Sequence, residues 1–277
     1  MKFYVQHATA AVCNSNDTAG QRISCGRFCR DVEADNATVV ESFVSESWTD
    51  IGGYVAVDDV REEIVLSIRG SSNYWNWVAD FDIPFASCSS LVEGCKVHRG
   101  FASAWSELSG PATRAIQAAR SAQPNYSLVF AGHSLGGAVA SLAAAYFRQN
   151  ETSVDDYTYG SPRVGNHVFA NYATKQSKAF GSQYRVTHNV DIVPRLPLLV
   201  LGFRHISPEY WLKGGWPSQN DYPISSIRVC DGIANTRCNE GTWGTSSLED
   251  AGIAHLHYFQ PVSCGSSAVP VNVPDEL

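Results

Sequence analysis

At 277 residues, with 44% hydrophobic and 17% charged content, the chain can bury a sizeable core without relying on cross-links. Its net charge of −7 excludes neutralising a nucleic-acid backbone and disfavours anionic membranes, so attachment to lipid must rest on apolar side chains. No apolar run approaches the ~18 residues that span a bilayer.

No repeat or low-complexity linker interrupts the chain, so one domain over residues 1–264 is expected, with a loosely attached tail over 265–277. The opening Met1-Lys2-Phe3-Tyr4 carries no apolar signal segment, as expected where a leader has been removed. Phe3 to Cys13 has helical spacing and predicts a covering helix. Residues 53–57 and 63–68 flank Asp58-Asp59 and predict two strands of a hairpin. Phe101, Trp105, Leu108, Ala112, Ile116 and Ala119 step by three or four, the mark of an amphipathic helix. After the Pro124-Asn125 turn signal come a buried strand, Tyr126 to Ala131, and a helix of small residues, Gly136 to Arg148. Tyr184 to His188 and Ile227 to Cys230 predict further strands. This alternation implies an α/β class, a mostly parallel sheet covered by helices.

Eight cysteines, at 13, 25, 29, 88, 95, 230, 238 and 264, suggest a disulfide framework and an oxidising compartment. Spacing does not decide their pairing. Sequons at Asn16, Asn36, Asn125 and Asn150 agree with an extracellular chain carrying glycans. A zinc site is not expected, because no His or second close Cys pair stands near Cys25 and Cys29.

Gly132-His133-Ser134-Leu135-Gly136 lies between the buried strand and the small-residue helix. A Gly-X-Ser-X-Gly string is weak alone, but this context is that of a nucleophile elbow. The turn is so tight that side chains beside the serine would clash, and the helix N-terminus favours developing negative charge. Ser134 is therefore the candidate nucleophile, and the Leu135 amide the first oxyanion donor. The acid and the base follow in chain order. Asp191 stands just past the Tyr184–His188 strand, where the catalytic groups of parallel sheets gather. His205 follows Asp191 too closely to return to the site. His255 and His257 remain, both placed on one strand face or with His255 on the loop before it, and spacing does not separate them. His7, His98, His133, His167 and His188 read as surface or hydrogen-bonded core groups.

From Thr9–Cys13 to Cys264 the chain resembles the fungal secreted class 3 lipases of the Rhizomucor–Thermomyces type, related to feruloyl esterases. The resemblance is carried by Ile68-Arg69-Gly70-Ser71-Ser72, Asn76-Trp77, Gly132 to Gly137, Tyr159 to Asn166, Thr187 to Pro197, and Ser207-Pro208-Glu209-Tyr210-Trp211. It implies an α/β-hydrolase fold with a short helical lid, and a triad of Ser134, Asp191 and His255, since the family's base precedes Leu and, two residues on, a Tyr-Phe pair, as in His255-Leu256-His257-Tyr258-Phe259. It implies Ser71 as second oxyanion donor, its hydroxyl held by Asp80, and a lid of Ser72, Asn73, Tyr74, Trp75, Asn76, Trp77, Val78 and Ala79. It also suggests the bridges Cys13–Cys264, Cys25–Cys29 and Cys88–Cys95, which leaves Cys230–Cys238.

Leu196, Pro197, Leu198, Leu199, Val200, Leu201 and Leu256 are expected to wall an acyl cleft. The implied activity is triacylglycerol hydrolysis at an oil–water interface by a monomer, with no metal, organic cofactor or nucleic acid. A phospholipase A1, or a feruloyl or acetyl esterase of the same fold, is the alternative, and a catalytically silent binding module stands outside that class. Val12 replaces a tyrosine that many relatives carry, and the tail is longer than in the best-known members, both of which bear on chain-length preference.

Overall fold

The computed structural model describes residues 1–70 and 84–264. In chain order its strands are β1 (Thr38–Val44), β2 (Gly52–Asp58), β3 (Glu63–Ile68), β4 (Phe85–Ser87), β5 (Lys96–His98), β6 (Ser127–His133), β7 (Asp155–Tyr159), β8 (Gly165–Asn166), β9 (Gln183–His188), β10 (Phe203–Arg204), β11 (Glu209–Leu212) and β12 (Ile227–Cys230). The helices are α1 (Tyr4–Asn14), α2 (Arg30–Ala34), α3 (Arg99–Ala122), α4 (Leu135–Gln149), α5 (His167–Gln176) and α6 (Leu248–His255).

Eight strands form one sheet in the order β1-β2-β3-β6-β7-β9-β11-β12. The run from β3 to β11 is parallel, whereas β1, β2 and β12 join antiparallel, so the sheet is mixed. The edges differ because their links are short: β2 turns into β3 over four residues, with Asp58 accepting from the Val60 and Arg61 amides. A smaller sheet, β10-β8-β5-β4, lies apart from it.

The pleat sorts the apolar residues. Ile64, Leu66 and Ile68 of β3, with Leu128 and Phe130 of β6, pack with Phe101, Leu108 and Ile116 of α3 and the alanines of α4. The intervening Val65 and Val129 point to the other face, where Val5 and Ala8 of α1 cover them. Each fully buried side chain of this kind stabilises the fold by roughly 1.5–3 kcal/mol. Four disulfides close, Cys13–Cys264, Cys25–Cys29, Cys88–Cys95 and Cys230–Cys238. No helix among the described residues is long and apolar enough to cross a membrane.

Several elements depart from the sequence expectations. β1, β7, β11 and α5 were not foreseen. β7 begins with Asp155-Asp156, and the buried Asp156 accepts from Ser141 Oγ and Gln183 Nε2. The expectation of His255 and His257 on a strand or its preceding loop is overturned: His255 is the last residue of α6. The physical reason is a cap, since the Ser247 hydroxyl accepts from the Asp250 amide at 3.0 Å and Glu249 and Asp250 fill the first turn. The proposed lid, Ser71 and Asp80 fall outside the described residues, as does the tail 265–277.

Candidate active site

The site forms at the C-terminal ends of the parallel strands. β6 ends at His133, and Ser134 turns the chain into α4 with φ 56° and ψ −129°, a left-handed backbone that is costly for a residue with a side chain. Crowding at the glycines enforces this turn. A Cβ on Gly136 would lie 2.1 Å from the Ile68 carbonyl oxygen, and one on Gly132 would lie 2.4 Å from the Gly136 carbonyl. The Ser134 amide donates to the Tyr159 carbonyl at 2.9 Å, tying the elbow to β7. Leu135 begins α4, so its amide follows the serine directly. The chain at Gly70 runs alongside, since a Cβ there would lie 3.2 Å from Ser134 Cβ.

Asp191 follows β9 by a tight turn, its amide donating to the His188 carbonyl at 2.9 Å. Its Oδ1 accepts from the Val193 amide at 2.9 Å. Its Oδ2 accepts from His255 Nδ1 at 2.9 Å and from the Tyr258 hydroxyl at 2.5 Å. Burial, reinforced by the Asp191 charge, holds the Tyr258 phenol well above its ordinary pKa, so it remains a donor. Asp191 and His255 have no exposed surface, and Ser134 is only 3% exposed. Gly160, with φ +59°, makes room, since a Cβ there would lie 3.0 Å from both Asp191 Oδ2 and the His255 ring.

Two further imidazoles hold the end of α6. His133 Nε2 donates to the His255 carbonyl at 2.8 Å, with the two rings 4.5 Å apart. His188 Nδ1 donates to the Ala254 carbonyl at 2.8 Å, while its Nε2 accepts from the Tyr222 hydroxyl at 2.7 Å. Carbonyls in the last turn of a helix lack intrahelical partners, and these rings supply them. Burial lowers the pKa of His133 to about 3 and that of His188 to about 4, so both stay neutral donors.

Of the expected acyl-cleft residues, Leu196, Leu198 and Leu256 gather with Ile192, Val193 and Ala251 in a cluster next to Asp191. Pro197 is buried and its carbonyl accepts from Arg163. Leu199, Val200 and Leu201 form a 3-10 turn outside that cluster, with Val200 87% and Leu201 47% exposed. His257 instead points Nδ1 to the Ile253 carbonyl, and the buried His205 points Nε2 to the Pro194 carbonyl.

Residues 65–201 match the family model Lipase (class 3). Over 271 residues the chain is 52% identical to the secreted mono- and diacylglycerol lipase 1 of Fusarium solani, covering 97% of this chain and 78% of that one. It is 40% identical over 268 residues to the secreted mono- and diacylglycerol lipase A of Penicillium cyclopium, covering 95% and 85%. The chain belongs to the class 3 lipases. Among solved structures, the mono- and diacylglycerol lipase from Aspergillus oryzae superposes with a TM-score of 0.89 at 38% identity, covering 95% of this chain and 97% of that one. The fold of this family member is thus the α/β-hydrolase fold.

Sequence reasoning left Tyr258, Gly160, His133 and His188 without roles. Tyr258 is three residues past His255, a separation that suggests contact within a helix, but α6 ends at His255. The two histidines give no local signal, since their partners lie 122 and 66 residues away.

Proposed function

We propose that this lipase is an extracellular, monomeric serine esterase that hydrolyses acylglycerols, with residues 1–264 acting as one catalytic unit. The observation that carries the reading is the buried Asp191–His255 hydrogen bond beside a serine held in a left-handed elbow. His255 accepts the Ser134 proton as the hydroxyl attacks the ester carbonyl, and Asp191 orients and stabilises the imidazolium. Amides of Leu135 and Ser71, with the Ser71 hydroxyl held by Asp80, receive the oxyanion. His255 then protonates the departing glycerol oxygen and activates water to release the fatty acid. The disulfides support an oxidising compartment. The names of the Fusarium and Penicillium relatives support glycerol esters as substrates, and triacylglycerol presents the same linkage.

The buried serine requires an opening step. Residues 72–79 are the proposed lid, and Trp75, Trp77 and Val78 supply apolar surface worth ~25 cal/mol per Å² when buried in lipid. Val200 and Leu201, exposed beyond the Leu196 cluster, add to that surface.

A phosphonate ester tests the reaction directly. An adduct on Ser134 is expected, with activity abolished in Ser134→Ala; labelling elsewhere, or an active alanine variant, overturns the assignment. A panel of tri-, di- and monoacylglycerol, phospholipid and methyl ferulate reads the substrate class, and preference for either of the last two refutes the acylglycerol assignment.

A further inference from the structure

A cavity of about 680 Å³ opens between α3 and the C-terminal end of α4, lined by none of the residues of the Ser134 site. That volume lies within the range of small-ligand sites. Its lining mixes aromatic surface, mainly from the half-buried Tyr146 beside a Trp105 that is only 7% exposed, with hydroxyls from Ser106 and Thr113. The Trp105 and Tyr146 rings stack with centroids 6.5 Å apart and planes 24° from parallel. Such a lining suits a sugar, whose C–H faces pack on rings while its hydroxyls take side-chain hydrogen bonds. Asn150 and Thr152, the first and third residues of the Asn150-Glu151-Thr152 sequon, both stand on the wall of this cavity.

We propose that Asn150 is N-glycosylated and that the first sugars of its glycan occupy this cavity. Asn150 is exposed as the C-cap of α4, and Glu151 breaks the helix with φ +57°. The Asn150 amide nitrogen, the atom that would carry the sugar, donates to the Tyr146 carbonyl at 3.3 Å. The side chain thus lies back along the helix toward the residue whose ring lines the cavity. A glycosylated amide keeps one N–H, enough to retain this bond. Attachment also makes occupancy intramolecular, so weak sugar–ring contacts suffice.

The test uses the full chain secreted from a eukaryotic host. Mass spectrometry of the peptide bearing residue 150 is expected to show a glycan that is absent in Asn150→Gln. Hydrogen exchange over α3 residues 102–117 is then compared in three forms: the intact glycoprotein, protein trimmed to a single N-acetylglucosamine, and Asn150→Gln. Opening of this segment is expected to be about threefold slower in the first two than in the third. Asn125→Gln, which removes a sequon that is not among the cavity's lining residues, should leave the segment unchanged. An unmodified Asn150, or equal exchange in all three forms, overturns the proposal, the latter because the glycan then projects into solvent. Hydrolysis of a soluble ester is read in parallel, so failure of this proposal is distinct from failure of the esterase reading.

Discussion

At Asp191 one carboxylate oxygen serves two donors, the His255 imidazole and the Tyr258 phenol, while the other takes the Val193 amide. A hydrogen bond to a charged group contributes about 1.5–3 kcal/mol, and its loss leaves the carboxylate less well oriented against the base. Tyr258→Phe should therefore lower kcat/KM on a soluble ester by about tenfold, 1.4 kcal/mol being one decade, while the fold survives. An unchanged kcat/KM would remove Tyr258 from the account. The buried histidines govern stability with pH. His7, His98 and His133 protonate in the folded chain only near pH 3 and His188 near 4, all through burial, with His205 well below its usual value. Unfolded histidines take up protons near 6.5. From there down to about pH 3–4 the unfolded chain binds more protons, so the stability present above 6.5 is progressively lost. Asp156, raised to about 6 by burial, and Asp58 and Glu63, also raised, oppose this where the folded chain holds protons the unfolded chain has released. Five histidines outweigh three carboxyls. The thermal midpoint should fall as pH drops from 7 to 4, and a flat or rising profile by calorimetry would contradict the assignment.

The elements make further demands. α6 delivers His255, and its start depends on the Ser247 cap. Ser247→Ala should cost about 1 kcal/mol, which is a fall of about 2–4 °C in the melting midpoint. A severalfold loss of soluble-ester turnover should accompany it, because the helix end carries His255, the proposed base. Circular dichroism melts with parallel kinetics check both, and a normal Tm with normal turnover excludes the coupling. At the β6–α4 elbow the constraint is steric. A methyl on Gly136 meets the Ile68 backbone at 2.1 Å, which a side-chain rotation cannot relieve. Gly136→Ala should exceed the 1–3 kcal/mol typical of an overpacked core, giving little secreted protein and no activity. Recovery of an active, well-folded alanine variant would refute this reading of the elbow.

Across the whole molecule, the Cys13–Cys264 bridge links α1 to the chain just beyond His255, with a sequence separation of 251. Gln260 reinforces the link, donating to Thr9 Oγ1 and the Phe28 carbonyl. Because the closed loop is so long, the unfolded chain loses much entropy, and removing the bridge should cost up to about 5 kcal/mol. Cys13→Ser with Cys264→Ser should lower the melting midpoint by on the order of 10 °C; a shift within error would show the termini held by packing alone.

The central strands, the covering helices and the serine elbow were legible in the amino-acid order, because each writes a local period or a local glycine pattern. Hydrophobic alternation in β3 and β6, three-and-four steps in α3, and Gly132 with Gly136 around Ser134 are all short-range signals. β7 left no such mark, because it opens on Asp155-Asp156 and the burial of Asp156 is compensated by Ser141 and Gln183 from other elements. Of His255 and His257, periodicity alone chose neither, and the Ser247-to-Asp250 cap was the local sign that α6, not a strand, carries His255. What only the tertiary structure decided is which distant groups meet: Tyr258 on Asp191, His133 and His188 on the end of α6, Gly160 beside the pair. Those contacts join residues separated by up to 122 positions, and no local pattern records them, since they follow from how strands line up in the sheet and how α6 is laid against their ends.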